Sequence, residues 1–167
     1  MKSLLKCPII AILLCYSLGF TEPTKPDAEQ PLKIESAIVE FNDQNGIATY
    51  TDNVVANQGS RHLTADKLII YRGKNNKIDM IIAIGKPAHF QFQPDPTKPI
   101  SFGHADTIKH FPNEDKVCLI GNAQLEKDGN IIKGHFLTYF FESGLLRSEP
   151  SPQKRTTVIL KPKQTNQ

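Results

Sequence analysis

The chain has 167 residues, 20 basic and 17 acidic side chains, and a net charge of +3. Lys2 and Lys6 lie in an apolar N-terminal segment; without them 18 basic residues face 17 acidic ones, and no basic run or aromatic–basic motif argues for nucleic acid. Cys7 and Cys15 fall in the same segment, so Cys118 is left as a lone thiol and an intramolecular disulfide framework is excluded.

Residues 1–19 read as a cleaved export signal. Lys2 and Lys6 give the positive start, Pro8 to Leu18 is almost wholly apolar, and Ser17-Leu18-Gly19 places small residues at the −3 and −1 positions of a cut. The apolar run falls short of the ~20 residues that span a bilayer. Residues 20–31 are polar and proline-bearing, which predicts a disordered lead-in. A single domain is expected over 32–161, followed by a polar tail over 162–167 that begins at Pro162.

From Leu32 onward every signal is a strand signal. Leu32-Lys33-Ile34-Glu35 alternates, and Asn45-Gly46 predicts a turn between Ala37–Phe41 and Ile47–Val55. Leu68–Tyr71 and Ile78–Ile84 flank a second turn at Gly73-Lys74-Asn75-Asn76. Ala88 to Gln93 alternates, and a proline-rich loop follows. Val117–Ile120, Ala123–Glu126, Ile131-Ile132, Phe136–Phe141 and Thr156–Leu160 complete the set. No useful window holds a 3.6-residue period, so the chain is all-β, with many short antiparallel strands.

An internal repeat organises these strands. Ser36, Asp66, Asp106 and His135 stand 30, 40 and 29 residues apart. Two residues beyond each comes Ile38, Leu68, Ile108 or Leu137, and five beyond comes Phe41, Tyr71, Phe111 or Phe140. Asp52-Asn53-Val54, Gly85-Lys86-Pro87-Ala88 and Gly121-Asn122-Ala123 recur in the second half of the first three units, and the fourth, from Gly144, has no clear equivalent, as expected of a terminal repeat. Positions +2 and +5 have opposite parity, so a straight strand cannot turn both inward. A bend or bulge between them is expected, folding the sheet over an interior lined by aliphatic and aromatic side chains.

Catalytic signals are missing. His62, His89, His104, His110 and His135 show no metal-type spacing, and no nucleophile elbow, HExxH or P-loop occurs, so no catalytic residue, metal or cofactor is expected. Asp66 and Asp106 fit turn-capping through bonds to the backbone. Cys118, within Val117-Cys118-Leu119-Ile120, reads as a small buried hydrophobe.

Several stretches together carry a family resemblance. They are Pro31-Leu32-Lys33-Ile34-Glu35-Ser36, Thr49 to Val55, Ala65 to Ile70, Gly85 to Phe90, Gly103-His104-Ala105, Leu119 to Ala123 and Thr156-Thr157-Val158. In this order and spacing the chain, from Pro31 to about Leu160, resembles the OstA-like family of periplasmic lipopolysaccharide-transport proteins. Asp52 stands where that family more often has glycine, and His135 where aspartate is common.

The resemblance implies a bent antiparallel β-jelly roll with an internal hydrophobic groove that holds lipid A acyl chains. Carried over by position, the lipid-binding residues are Leu32, Ile34, Phe90 and His110, the last replacing a usual aromatic. Alternation adds Ile108 on the face of His110. Arg72 matches a basic position near the rim, suited to lipid phosphate. The implied partners are lipopolysaccharide, an LptC-like inner-membrane protein, an LptD-like outer-membrane protein and further copies of the chain, joined head to tail through edge strands near Leu32–Glu35 and Thr156–Leu160. An exported structural β-solenoid with a packed interior, or a carrier of another lipid, would share the repeat and the signal; a hydrolase is the least supported class.

Overall fold

The computed structural model describes residues 25–93, 96–97, 99–152 and 155–162. The predicted signal and most of the polar tail lie outside these residues. The described chain forms one antiparallel sheet of ten strands: β1 (Lys33–Glu35), β2 (Ile38–Asn42), β3 (Ile47–Gln58), β4 (Arg61–Arg72), β5 (Ile78–Phe92), β6 (Ser101–Phe111), β7 (Lys116–Lys127), β8 (Asn130–Phe140), β9 (Leu146–Ser148) and β10 (Thr157–Ile159). Strands β3 to β8 pair in chain order, and four short strands close the two edges. Turns form at the predicted Asn45-Gly46 and Gly73–Asn76 positions.

The six central strands are longer than the sequence pattern suggests, because runs that read as separate strands are continuous. Ile78–Ile84 and Ala88–Phe92 are the two halves of β5, and Val117–Ile120 and Ala123–Glu126 are halves of β7. Each pair joins through an irregularity in mid-strand. Register shifts fall at Thr51/Val54, Thr64/Lys67, Ile84/Ala88, His104/Thr107 and Ile120/Ala123. Neighbouring strands carry them side by side, so they form a single line of bulges across the sheet. Bulges bend the strand that carries them, and here the bends add up to one fold line.

Side-chain parity shows what the line achieves. On β4, Leu63 and Ala65 pack on the core before Asp66; beyond it Leu68 and Ile70 do so. On β6 the buried set changes from Ser101 and Ala105 to Ile108 across Asp106. On β8 it changes from Ile132 to Leu137 and Tyr139 across His135. The repeat anchors are therefore the corners themselves, and the expected bend between positions +2 and +5 lies instead at the anchor. Tyr71, Phe111 and Phe140 resolve the parity conflict by facing outward and staying partly exposed, while Phe41 is 62% exposed. The alternate strands β3 and β7 insert two left-handed residues each, Asp52-Asn53 (φ 65° and 51°) and Gly121-Asn122 (φ 75° and 45°), and keep their parity. Asp106 does not cap a turn through the backbone as expected. It accepts a 2.9 Å hydrogen bond from Asn122 Nδ2 on the adjacent strand, tying two corners together.

Folding at this line gives two leaves that face each other. The first leaf runs from β1 through the outer halves of the central strands to β10; the second runs from β2 to β9. Leu125, Phe90 and Phe92 project from the first onto Leu68, Ile108, Leu119 and Leu137 of the second in one buried cluster. Cys118 is buried, as predicted, with Sγ 3.7 Å from the Thr138 hydroxyl. Residues 27–30, part of the stretch read as disordered, form a 3-10 turn held to the β3–β4 hairpin. Asp27 accepts hydrogen bonds from the Ser60 amide (2.8 Å) and hydroxyl (2.6 Å).

Asp52 tests the corner directly. A branched side chain at a left-handed φ costs about 1–2 kcal/mol, whereas glycine adopts it freely. Asp52→Val is expected to lower unfolding free energy by about that amount and Asp52→Gly to leave it unchanged or raise it, read from urea midpoints.

Candidate functional site

Between the leaves lies an apolar cavity of ≈ 70 Å³. Leu32 borders it just before β1; Leu63, Phe90 and Phe92 line it from the first leaf, and Ile81, Ile108 and Val117 from the second. Four of the sequence-predicted residues, Leu32, Phe90, Ile108 and His110, converge on this space. Ile34 is partly buried against the same core, one step along β1. Arg72 does not join them. It is exposed at the tip of the second leaf, beside a separate surface depression lined by Phe41, Gly46 and Lys74.

The cavity is narrow because aromatic rings fill the side away from the fold line. Phe90 stacks on Phe92 with centroids 5.5 Å apart, and Phe92 meets Tyr139 at 5.3 Å and Phe141 at 5.1 Å. Gly103, opposite Phe90 in the register, makes the first of these positions possible. A Cβ there would sit 2.0 Å from Cε1 of the Phe90 ring. The phenylalanine and the glycine are thus one packing unit spread over two strands.

His110 is the polar exception inside. Its ring stands edge-on to Phe141 at 5.9 Å, and its Nε2 is a buried nitrogen without a hydrogen-bond partner. Burial, and secondarily the nearby Arg61 charge, hold its pKa down at about 4, so the imidazole is neutral at physiological pH. A neutral imidazole is compatible with acyl chains and keeps one polar nitrogen for a hydroxyl or amide. His62 also borders the cavity, with its Nδ1 2.6 Å from Asn57 Oδ1. His89 and His104 are cross-strand neighbours on the outer face of the first leaf, with rings 5.7 Å apart. Among the described residues no three His, Cys, Asp or Glu side chains stand together as a metal site.

Arg61 is the residue that sequence reasoning missed. It lines the cavity from the β3–β4 hairpin, with its guanidinium 4.8 Å over the Phe141 ring. A similar contact lies further along, where Lys127 donates a 2.8 Å hydrogen bond to the Tyr139 hydroxyl. Both join a tip of the first leaf to the second. Neither is local in sequence, and the pairing of tips becomes visible only once the sheet has folded.

This architecture has counterparts. Residues 33–145 match the family model described as LptA/(LptD N-terminal domain) LPS transport protein. The chain belongs to this family. It is 35% identical over 140 residues to the lipopolysaccharide export system protein LptA of Escherichia coli strain K12, covering 83% of this chain and 75% of the relative. It is 32% identical over 161 residues to the LptA of Haemophilus influenzae, covering 95% and 92%. The crystal structure of LptH from Pseudomonas aeruginosa, described as the LptA-homologous periplasmic component of the lipopolysaccharide transport device, superposes with a TM-score of 0.77 at 28% identity, over 83% of this chain and all of that one. The all-β, bent antiparallel fold expected from sequence is the fold observed. Among the described residues no helix is long and apolar enough to cross a membrane.

His110 also makes the protein acid-sensitive in a defined window. Its folded pKa lies below the ordinary 6.5, so the unfolded chain binds the proton first as pH falls. The stability contributed by neutral His110 is complete above about 6.5 and is lost progressively towards pH 4, by up to about 3 kcal/mol. His110→Phe is expected to flatten this part of a stability-against-pH curve measured by urea unfolding; an unaltered slope would assign the acid sensitivity elsewhere.

Proposed function

We propose that this chain carries lipopolysaccharide through the periplasm, holding the lipid A acyl chains between its two leaves. The observation that supports this best is an apolar space enclosed by the leaves of a bent sheet whose ends are both open for pairing. Among the described strands, β1 and β2 at one end and β9 and β10 at the other are each bonded on one side only. An exported chain with its signal removed after residue 19 would meet its ligand in that compartment.

The energetics favour a conduit. Each methylene kept from water is worth roughly 0.8 kcal/mol, so several acyl chains cannot cross an aqueous gap bare. Passage from one apolar groove to the next leaves that term nearly unchanged, and no local energy source is required. Leu32, Ile34, Phe90 and Ile108 make the acyl contacts in this reading. His110 contributes a neutral ring among them, and Arg72 meets phosphate outside, at the tip of the second leaf.

The edges give the assembly its polarity. Pairing the β9/β10 end of one copy with the β1/β2 end of the next extends both leaves at once and brings the interiors into line. Such a contact is heterologous and propagates rather than closes. The same strand addition would join an LptC-like protein at the inner membrane and an LptD-like protein at the outer membrane. Val158 (55% exposed) and Ile159 (49%) on β10, with Ile38 (51%) on β2, leave apolar side chains at the ends where the next sheet would cover them.

A photocrosslinking residue in place of Phe90 is expected to label with lipopolysaccharide, whereas the same residue in place of the outward-facing, exposed Lys67 is not. Equal labelling at both, or none at Phe90 in protein with an unchanged circular dichroism spectrum, would favour a packed structural role.

A further inference from the structure

The side of the molecule away from the fold line carries a second feature. A depression of ≈ 260 Å³ lies on the outside between the leaf tips, lined by Lys77, Ile78, Asn113 and Asp115 among others. Leu32, Gln58, Arg61, Ile81 and His110 line both this depression and the apolar cavity within. These residues are thus a shared wall, with solvent on one face and the groove on the other.

Arg61 holds the wall in place across the gap. Its Nη2 is 3.9 Å from Asp115 Oδ1 on the second leaf, and its Nε is 3.7 Å from Asp27 Oδ2 on the N-terminal turn. Both separations are longer than a hydrogen bond. The guanidinium is therefore held by two loose ion pairs and by its position over Phe141. Partly exposed pairs of this kind are weak and are readily exchanged for a better anion. Asp27 is itself anchored by Ser60, so Arg61 keeps a fixed partner on its own leaf when the contact with Asp115 breaks.

We propose that the groove is entered from the side, through a doorway between the leaves that Arg61 latches, and that an amphiphile with an acyl tail and an anionic head opens it by drawing the guanidinium away from Asp115. The head then rests in the outer depression beside Arg61 and Lys77 while the tail passes between Leu32 and Ile81 into the cavity. A slot along the side keeps the anionic head in solvent while the tail lies in the groove, so the same open side continues into the groove of a neighbouring copy. This proposal rests on the acyl-binding reading of the groove, and its test separates the two.

The test is stopped-flow binding of dansyl-labelled undecanoic acid, and of the uncharged alcohol of the same length, to the purified protein. Asp115→Asn is expected to speed association of both probes roughly two- to fivefold, the range set by a partly exposed ion pair. Arg61→Gln is expected to speed association as well, and to reduce the preference for the acid over the alcohol. Wild-type association rates in both variants, with probe affinity still lowered by Phe90→Ala, would overturn the doorway and leave the groove standing. Should Arg61→Gln misfold, Arg61→Lys gives up the planar stacking on Phe141 while keeping a cation; association no faster than wild type there would also overturn the proposal. A wild-type protein that binds neither probe would overturn both groove and doorway.

Discussion

Everything in this molecule depends on one constraint of β-structure: a straight strand sends successive side chains to opposite faces. A single straight sheet of this length would leave each apolar face without anything to cover it. The line of bulges removes the difficulty. Each central strand bends at its midpoint, and where parity must change it does so at Asp66, Asp106 or His135, or on β5 between Ala83 and Ala88, so both halves turn apolar residues towards the same space. The sheet then supplies both walls of its own core. Ala83, Ala88, Ala105 and Ala123, all nearly inaccessible, lie close to the corners, where larger side chains would hold the leaves apart.

That solution has a functional consequence. A core made by apposing two leaves of one sheet has a continuous backbone on the fold side and only side-chain contacts on the other. Along the open side the leaves are joined by aromatic rings and a cation over a ring, each worth about 0.5–2 kcal/mol beyond burial, and by loose ion pairs worth about 1 kcal/mol or less. The ladder hydrogen bonds run along the leaves and are untouched if the leaves part. Widening the interior therefore means parting the shared apolar cluster, a cost that an incoming apolar guest offsets by taking its place, while the ladder hydrogen bonds stay intact. The cavity of ≈ 70 Å³ holds a few water-sized groups at most, so a guest with several acyl chains requires such widening.

Much of this was legible in the sequence. The strand pattern, the turns at Asn45-Gly46 and Gly73–Asn76, and the repeat at Ser36, Asp66, Asp106 and His135 follow from local chemistry, and they led to the right fold. The position of the bend was misread because periodicity shows that parity conflicts exist and not where the backbone gives way. The outward-facing aromatics at Tyr71, Phe111 and Phe140 looked like core for that reason. Leu32, Phe90 and His110 came from the family resemblance and Ile108 from alternation, and the four line one cavity, whereas Arg72, expected near the rim, lies apart from them at the tip of the second leaf. Arg61 left no signal in the sequence: its importance comes from Asp27, Asp115 and Phe141, which are far from it along the chain and meet it only across the closed leaves.

The central claim is that the leaves separate to receive acyl chains. Pulsed electron spin resonance can measure this with labels on cysteines replacing Phe102, on the outer face of the first leaf, and Tyr71, on the outer face of the second, in a Cys118→Ala background. Saturating lipopolysaccharide should lengthen the mean distance and shift the whole distribution. An unchanged distribution in protein shown to have bound lipopolysaccharide would contradict the account, because the ligand would then lie outside the space between the leaves.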